Sequence, residues 1–591
     1  MQPVDLTTLR AVCADLQHWL PARLETVYQR DRHTIALALR TLKKQGWLTL
    51  SWHPQAARLA FEPPPPRQPD TFTFSQQLHA QLNRLALVRV GLVNPWERVV
   101  VLEFAPRPQE ATQWRLYAEI MGKYSNVILV NGEGEIVTAA HQVNPQQSRL
   151  RPILTGQPYV PPPPLTAALP RLEIPFEQWQ QQVSVIPGIL EQQLLKAYRG
   201  LSPALVQQLL ADAGLPLEIH TADLSPEAWR RLFDHWQHWL DCLERERFVP
   251  QFTPTGYRVI PPLRTQNSSS VSIHEILATY YQDQLRQQQT QHLQQQLHQS
   301  LQTQRQKLIA KIEGFRERLA AAATGDRQRY LADLLMAHAH LWQPGMTELI
   351  VTDFTTQEPL TIPLSREKSA IQTAQELYKQ QQKLKRAQQH ITPLLKAAES
   401  ELAYLDQVAA TLATATSLDV LEEIRAELIE QGYLTAPDYY RPPTTPSSYL
   451  RYTTPSGFTV LVGRNNRQND DLTFRVASPY DWWFHTQEIP GSHVILRLEA
   501  GEVPSDKDIQ YVADLAAYHS QARASAQVPV VYTRRKYVQK PKGANPGMVI
   551  YDQATVVWGH PLSVSDCLSD VFQRGEQLRC SGGDRDGIVA E

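Results

Sequence analysis

Two long stretches of helix-forming residues occupy the middle of the chain and constrain what it can fold into. The first covers residues 272–342 and is rich in glutamine, and the second covers residues 365–430. Leu301, Leu308 and Phe315 recur at heptad spacing, which is typical of the contact face of a coiled coil. The sequence therefore predicts a long antiparallel helical arm, an element that spans distance and does not catalyse.

The segment between the two helices, residues 347–363, predicts a strand-rich tip. Glutamine runs such as residues 287–289 are compatible with an aggregation-prone tract, but interleaved leucines and strong helix formers favour a solvated helix. We therefore expect a folded arm rather than a low-complexity tract.

The remaining chain forms further domains, because 591 residues exceed what one hydrophobic core serves. The fold class predicted is α+β and multidomain, with mixed α/β domains at both ends and a helix-hairpin-helix inserted before the arm. The predicted boundaries are 1–168 for the first α/β domain, 169–250 for the helical segment, 251–271 for a connector, 272–435 for the arm, 436–448 for a linker, 449–562 for the second α/β domain and 563–591 for a disordered tail.

Local patterns give more specific expectations within the amino-terminal half. Residues 74–87 predict a helix, and residues 98–104 predict a β-branched strand. Trp229, Trp236 and Trp239 have the spacing of one buried helix face.

The helix-hairpin-helix rests on three residues with defined roles. Ser202 is placed to cap the following helix, Pro203 falls in its first turn, and Gly214 provides a stop. Such a hairpin either presents backbone amides to phosphate or serves as plain packing, and the sequence leaves both interpretations open.

Composition argues for a soluble protein of the cytoplasm without a membrane partner. No apolar run reaches the roughly 18 residues of a membrane span, and the amino terminus lacks the pattern of a secretory signal. The four cysteines are Cys13, Cys242, Cys567 and Cys580, and no C-x-x-C occurs. Neither a disulfide framework nor a zinc site is therefore predicted.

A local excess of positive charge lies near the carboxyl end, although the formal net charge of the chain is -1. Residues 521–551 contain six cations and neither Asp nor Glu. The six cations are Arg523, Arg534, Arg535, Lys536, Lys540 and Lys542. They indicate a polyanion partner, with a solvated edge strand as the alternative.

The sequence contains no group of residues in the arrangement that an enzyme's active site requires. Ser492 and His493 are adjacent, so in an extended segment their side chains point to opposite faces and cannot pair as nucleophile and base. His485, His493 and His519 have no compact metal-ligand spacing, and histidines that position a loop or contact ribose are favoured instead. No phosphate-binding glycine loop is present. We predict a binding protein with no cofactor, no metal and no catalytic residue.

The block from residue 463 to residue 547 resembles the RNA-binding domain of the NFACT family, whose members have also been labelled fibronectin-binding proteins. The matching strings are 463–464, 468–470, 481–485, 490–495, 513–520, 528–532 and 538–547. The resemblance implies RNA contacts by Arg464, Trp482, His485, Ser492, His493, Arg523, Arg534, Arg535, Lys536, Lys540 and Lys542.

The amino-terminal domain resembles the same family through residues 119–126, 141–143 and 156–159. The family carries an Asp-Arg pair that is tied to engaging transfer RNA. The matching residues here are Glu97 and Arg98, and Asp5 matches an acidic position near the start of the family's domain. The resemblance thus implies a transfer RNA site at Asp5, Glu97 and Arg98.

The resemblance implies a function in bacterial ribosome-associated quality control. Such proteins bind the large ribosomal subunit carrying peptidyl-tRNA, recruit alanyl-tRNA and promote untemplated alanine tails on the stalled chain, together with helper proteins. The alternatives are a general RNA-binding scaffold without tailing and a fibronectin-binding adhesin. A DNA glycosylase, suggested by the family's similarity to formamidopyrimidine glycosylases, is disfavoured because Gln2 precedes Pro3 and no four-cysteine zinc finger is present.

Overall fold

The computed structural model describes residues 1–65, 69–164, 166–263, 271–436, 440, 442–443, 447–499 and 501–564. The chain divides into two compact units, Met1–Gln287 and Gln288–Glu591. Parts of the predicted connector and linker, nearly all of the predicted tail, and Cys567 and Cys580 lie outside the described residues. Along the part that is described, no helix has the length and apolar character needed to cross a membrane.

The first unit is built on a nine-stranded sheet in which every neighbouring pair is antiparallel. Its spatial order is β4-β3-β2-β1-β5-β6-β7-β8-β9. The strands are β1 Ala22–Asp31, β2 Thr34–Arg40, β3 Gln45–Ser51, β4 Arg58–Glu62, β5 Ala86–Leu92, β6 Val99–Ala105, β7 Trp114–Glu119, β8 Asn126–Asn131 and β9 Ile136–Ala139. Alternate residues of β6 (Val100, Leu102 and Phe104) enter the core, as expected for a strand with one face on the hydrophobic interior.

Two helices cover that core face, α1 Leu6–Gln17 and α2 Thr73–Leu82. The helix predicted over 74–87 is therefore too long by five residues, since it ends at Leu82. Arg84 has a positive φ of 69°, and the chain turns there into β5, whose backbone pairs with β1 and β6. Sheet pairing overrides helix propensity in this segment.

The helical part of this unit has its own core. Its helices are α3 Phe176–Ser184, α4 Leu190–Ala197, α5 Pro203–Asp212 and α6 Pro226–Glu244, followed by the hairpin of β10 Gln251–Thr253 and β11 Gly256–Arg258. Trp229, Trp236 and Trp239 of α6 are all buried in that core, which confirms the single buried face. Ser202 caps α5 by accepting from Leu205 N, with Pro203 in the first turn, as predicted.

The arm contains four helices, α7 Ile273–Ala322, α8 Gly325–Ala337, α9 Ala370–Thr414 and α10 Leu418–Glu430. Arg305 pairs with Asp406, and Arg316 pairs with Glu399, so α7 and α9 run antiparallel. The heptad residues Leu301 and Leu308 are buried against α9. The predicted tip is a hairpin of β12 Glu348–Thr352 and β13 Pro359–Pro363.

The arm departs from the prediction at both of its long helices. The first is interrupted between Ala322 and Gly325 rather than continuous to residue 342. The second begins at Ala370 rather than 365, because Ser369 and Gln372 form a reciprocal capping box there.

The carboxyl-terminal domain contains a six-stranded sheet in the order β14-β15-β17-β16-β18-β21. The strands are β14 Leu450–Thr453, β15 Thr459–Val462, β16 Trp482–Thr486, β17 Val494–Leu496, β18 Val528–Arg534 and β21 Thr555–Gly559, with a short hairpin of β19 Val538–Gln539 and β20 Ile550–Tyr551. Helix α12, Asp506–Tyr518, packs on one face, and Leu472 of the π-helix that follows α11, Asn466–Asp471, packs on the other.

Strand β18 lies inside this sheet, hydrogen-bonded to β16 on one side and to β21 on the other. A solvated edge strand, the alternative interpretation of the six cations, is therefore wrong for Arg534, the one of them that lies in β18. The charges lie instead at the ends of β18 and in the loops beyond them.

Candidate nucleic-acid interface

The amino-terminal site begins with Asp5, which caps α1. Its Oδ1 accepts hydrogen bonds from the backbone N and the Oγ1 of Thr8, at 2.8 and 2.7 Å. Its Oδ2 accepts from Ser202 Oγ at 2.6 Å. Asp5 is thus a buried, fully engaged carboxylate that joins the first helix to the hairpin between α4 and α5.

That hairpin is packed, not open. Gly200 has a φ of +84°, and a Cβ at this position would lie 2.7 Å from the Trp96 ring and 2.9 Å from Leu6. Only glycine fits such a close approach without strain. The geometry favours the packing interpretation of the helix-hairpin-helix at this turn over phosphate binding by its amides.

Arg98 precedes β6 and lies half-buried near two carboxylates. Burial lowers the pKa of its guanidinium, and the charges of Asp5 and Glu97 oppose that shift. Glu97, however, forms its ion pair with Arg199, at 3.5 Å, and not with Arg98. Among the described residues, none accepts a hydrogen bond from the Arg98 side chain.

The structure therefore brings Asp5, Glu97 and Arg98 together and adds Arg199 and Ser202. Arg199 was missed because its only sequence signal is its place before the Gly200 turn. A partly exposed guanidinium without a protein acceptor is suited to bind a phosphate or carboxylate oxygen of a ligand.

The carboxyl-terminal site follows from strand register. Trp482 pairs with Leu496 on one side and with Arg534 on the other, so these three residues lie at the same end of the sheet. Arg497 follows Leu496, and Arg535 and Lys536 follow Arg534. We call the cations Arg497, Arg534, Arg535 and Lys536 the basic end of the sheet.

The members of the basic end have different environments. The Arg534 guanidinium lies 4.1 Å from the centre of the Trp482 ring and donates to the backbone of the exposed Tyr480. Arg535 Nε donates to the carbonyl of Thr473 at 2.7 Å, so this side chain braces the fold. Lys536 is exposed, with its Nζ 4.9 Å from the Tyr537 ring centre.

The other three predicted cations lie elsewhere in the domain. Arg523 precedes β18, and a seven-residue strand places Arg534 about 20 Å away from its start. Arg523 packs over the Tyr518 ring at 4.7 Å. Lys540 forms an ion pair with Asp470, and Lys542 is exposed in the following loop. The six cations therefore do not form one continuous face.

The two histidines predicted to contact RNA, His485 and His493, have partners inside the protein. His493 is 1% exposed, and its Nδ1 lies 2.8 Å from Thr473 Oγ1. Burial lowers its pKa to about 3, so it is neutral near pH 7. His485 is directed inward, with its Nε2 3.3 Å from the Gly491 carbonyl. These side chains position the 490–493 turn, which is the first of the two roles expected for them.

Arg464 and the backbone of Ser492 also have partners within the protein, while the half-buried side chain of Ser492 stays a predicted RNA contact. The backbone N of Ser492 donates to the carbonyl of His519 at 3.0 Å. Arg464 donates to Ser417 Oγ at 3.0 Å, and so contacts the arm. Within the described ranges, no three His, Cys, Asp or Glu side chains are grouped as a metal site requires.

The family model for the NFACT N-terminal and middle domains matches residues 5–445, and that for the NFACT protein RNA binding domain matches residues 448–552. A Bacillus subtilis (strain 168) protein named Rqc2 homolog RqcH is 29% identical over 560 residues, covering 91% of this chain and 94% of that protein.

Two streptococcal proteins are also similar. The Rqc2 homolog RqcH of Streptococcus suis (strain 05ZYH33) is 30% identical over 547 residues, covering 90% of this chain and 92% of that protein. The solved C-terminal part of the fibronectin/fibrinogen-binding protein from Streptococcus suis is 31% identical, covers 46% of this chain and 95% of that one, and gives a TM-score of 0.37.

The fold and the two family models define a multidomain protein with an RNA-binding domain at residues 448–552. Both family models together span nearly all of the described residues. The chain belongs to the NFACT family.

Proposed function

We propose that this chain acts in ribosome-associated quality control. It binds the large ribosomal subunit that carries peptidyl-tRNA, recruits alanyl-tRNA and promotes untemplated alanine tailing of the nascent chain. The ribosome forms the peptide bonds, and this chain contributes binding and positioning without being an enzyme. Membership of the NFACT family and the similarity to proteins named Rqc2 homolog RqcH support this proposal.

The proposed contact with transfer RNA rests on the environment of the Arg98 side chain. Its guanidinium is half-buried beside Asp5 and Glu97, yet within the described chain it has no hydrogen-bond acceptor. Because the Arg98 side chain is half-buried, its guanidinium loses little freedom when a phosphate binds. The contact is also stronger away from bulk water. Glu97 is the acidic member of the Glu97-Arg98 pair. Its ion pair with Arg199 holds the Glu97 side chain beside Arg98.

The basic end gives the second contact. Arg534 over Trp482, the exposed ring of Tyr480 and the exposed Lys536 combine cations for phosphates with an aromatic surface for bases. This combination suits ribosomal RNA in single-stranded or irregular regions.

The test uses the full-length protein with purified large subunits that carry peptidyl-tRNA. We expect Arg98→Ala to abolish alanine tailing while the variant still cosediments with the subunits. The matched control is Arg89→Ala, which removes an exposed arginine of the same sheet and should leave tailing intact. Unchanged tailing in Arg98→Ala would remove this residue from the mechanism. Binding of subunits without any tailing by the wild type would favour the general RNA-binding scaffold instead.

A further inference from the structure

The segment Arg464–Gln468, part of the block that resembles an RNA-binding domain, faces the arm. Each of its five side chains donates a hydrogen bond or ion pair to α10 or to the residue just before it. Arg464 contacts Ser417, Asn465 contacts Glu423, Asn466 contacts Glu427, Arg467 contacts Glu430, and Gln468 contacts Glu423. We call these five donors and their acceptors the seam.

The acceptors are arranged by helix geometry. Glu423, Glu427 and Glu430 are spaced four and three residues apart, so they lie on one face of α10. Glu423 and Glu427 are 7% and 1% exposed. Buried carboxylates are tolerated only when their oxygens are satisfied, and here the donors come from the carboxyl-terminal domain, from Ser447 just before it and from α9.

A second contact lies beside the seam. Gln407 of α9, which is 7% exposed, donates through Nε2 to the carbonyl of Gly491 at 3.0 Å. A Cβ on Gly491 would lie 2.8 Å from Thr486 Oγ1, so this turn is closely packed. Residues of three strings that carry the family resemblance, 463–464, 468–470 and 490–495, therefore contact the arm.

We infer that Glu423, Glu427 and Glu430 are positioning residues that hold the RNA-binding domain in one orientation on α9 and α10. This inference rests on the proposed function, because a fixed orientation matters only if the basic end and the arm engage the same subunit. Fixing the orientation in advance spares the complex the entropy of ordering a mobile domain.

The two buried carboxylates respond differently to an isosteric change. Oε1 of Glu423 accepts from Ser447 N, while Oε2 accepts from Asn465 and Gln468. In Glu423→Gln an NH₂ group replaces either Oε1 or Oε2, so it faces a donor in both cases and at least one hydrogen bond is lost. Both hydrogen bonds to Glu427 go to Oε1, from Tyr404 OH at 2.7 Å and from Asn466 at 3.0 Å. A glutamine there keeps both, and burial raises the pKa of Glu427 to about 7, so a neutral group is already tolerated.

The experiment measures orientation directly in the full-length protein. Spin labels are placed on Cys introduced at the exposed Gln389 of α9 and Gln527 of the carboxyl-terminal domain. Cys567 and Cys580 are replaced by Ser, while Cys13 and Cys242 are buried. We expect one narrow distance distribution in the parent protein and in Glu427→Gln, and a distribution at least about twofold broader in Glu423→Gln, because local opening of the seam frees the domain.

Measurements of RNA binding and tailing separate this inference from the proposed function. Affinity of Glu423→Gln for a short single-stranded RNA of mixed sequence should equal that of the parent within about twofold, since the basic end is untouched, while tailing falls. A narrow, parent-like distribution in Glu423→Gln, or full tailing despite a broad one, would overturn the positioning role. Absence of subunit binding by the parent would instead defeat the proposed function and leave the distance result standing.

If Glu423→Gln does not fold, the same distances are measured in Gln407→Ala combined with Arg464→Ala. That variant removes two contacts to the arm and leaves both hydrophobic cores intact. A broadened distribution supports the inference, and an unchanged one contradicts it.

Discussion

Ser202 Oγ donates a 2.6 Å hydrogen bond to Oδ2 of Asp5, and the same serine oxygen accepts from Leu205 N at the start of α5. One hydroxyl therefore caps a helix and satisfies a buried carboxylate 197 positions earlier in the chain. Removing it should cost more than the loss of a cap alone.

We expect Ser202→Ala to lower the free energy of unfolding by about 2–3 kcal/mol, the sum of a lost cap and an unsatisfied buried carboxylate oxygen. Ser225→Ala is the matched control, because Ser225 also precedes a proline and caps a helix, α6, but makes no bond to a distant carboxylate. That change should cost about 1 kcal/mol. Urea unfolding of both variants measures the difference, and equal losses would show that the bond to Asp5 adds nothing.

The basic end contains an arginine that braces the fold, Arg535, next to an exposed lysine, Lys536, that we expect to contact RNA. Lys536→Ala should weaken binding to large subunits and reduce the slope of log affinity against log salt by about 0.7–0.9, as expected for one lost phosphate contact. Lys507→Ala, at an exposed lysine of α12, is the control. A salt titration of both variants decides the point, and equal slopes would place Lys536 outside the interface.

Arg535→Ala should act mainly on stability, because its guanidinium donates to the Thr473 carbonyl and lies over Phe474. We expect a loss of about 1–2 kcal/mol, the usual cost of leaving such a partner unsatisfied. Thermal unfolding measures this loss. A normal melting temperature with a reduced salt slope would instead make Arg535 a direct RNA contact.

The carboxyl-terminal domain should lose stability in mild acid. Burial lowers the pKa of His493 to about 3 and that of His519 to about 4, below the value near 6.5 of the unfolded chain. Below pH 6.5 the unfolded state therefore binds protons that the folded state refuses, so stability falls as the pH falls. For His493 alone the loss between pH 7 and pH 5 is about 2 kcal/mol.

His493→Gln removes one of these two groups and should reduce the pH-dependent loss by about 2 kcal/mol. The loss is measured in both proteins by urea unfolding at each pH. Proteolysis of the carboxyl-terminal domain is the signal that reports its unfolding. The same pH dependence in the parent and the variant would mean that His493 titrates normally.

Much of the architecture was predictable because it depends on local pattern. The heptad of Leu301 and Leu308 marked the arm, and the Ser202-Pro203 pair marked the start of α5. These signals act over one or two helical turns, so neighbouring residues are enough to detect them.

The sites were harder to predict because their partners are distant in sequence. Asn465 and Glu423 are 42 positions apart, and no periodicity connects them. The cations of residues 521–551 form one cluster in sequence, yet β18 separates Arg523 from Arg534 along its length. The sequence therefore located the RNA-binding block, but it gave no sign that Arg464, one of the residues predicted to contact RNA, donates to Ser417 of the arm.

The two arginines of the amino-terminal site provide a final test, because they have opposite roles in this structure. Arg199 is paired with Glu97, so Arg199→Ala leaves a half-buried carboxylate without its cation and should cost about 1–2 kcal/mol of stability. Arg98 has no acceptor among the described residues, so Arg98→Ala should change stability by less than about 0.5 kcal/mol while abolishing binding of alanyl-tRNA. Thermal unfolding and a filter-binding assay with alanyl-tRNA measure the two effects. If Arg98→Ala unfolded more readily than Arg199→Ala and still bound alanyl-tRNA, the roles assigned to these two side chains would be reversed.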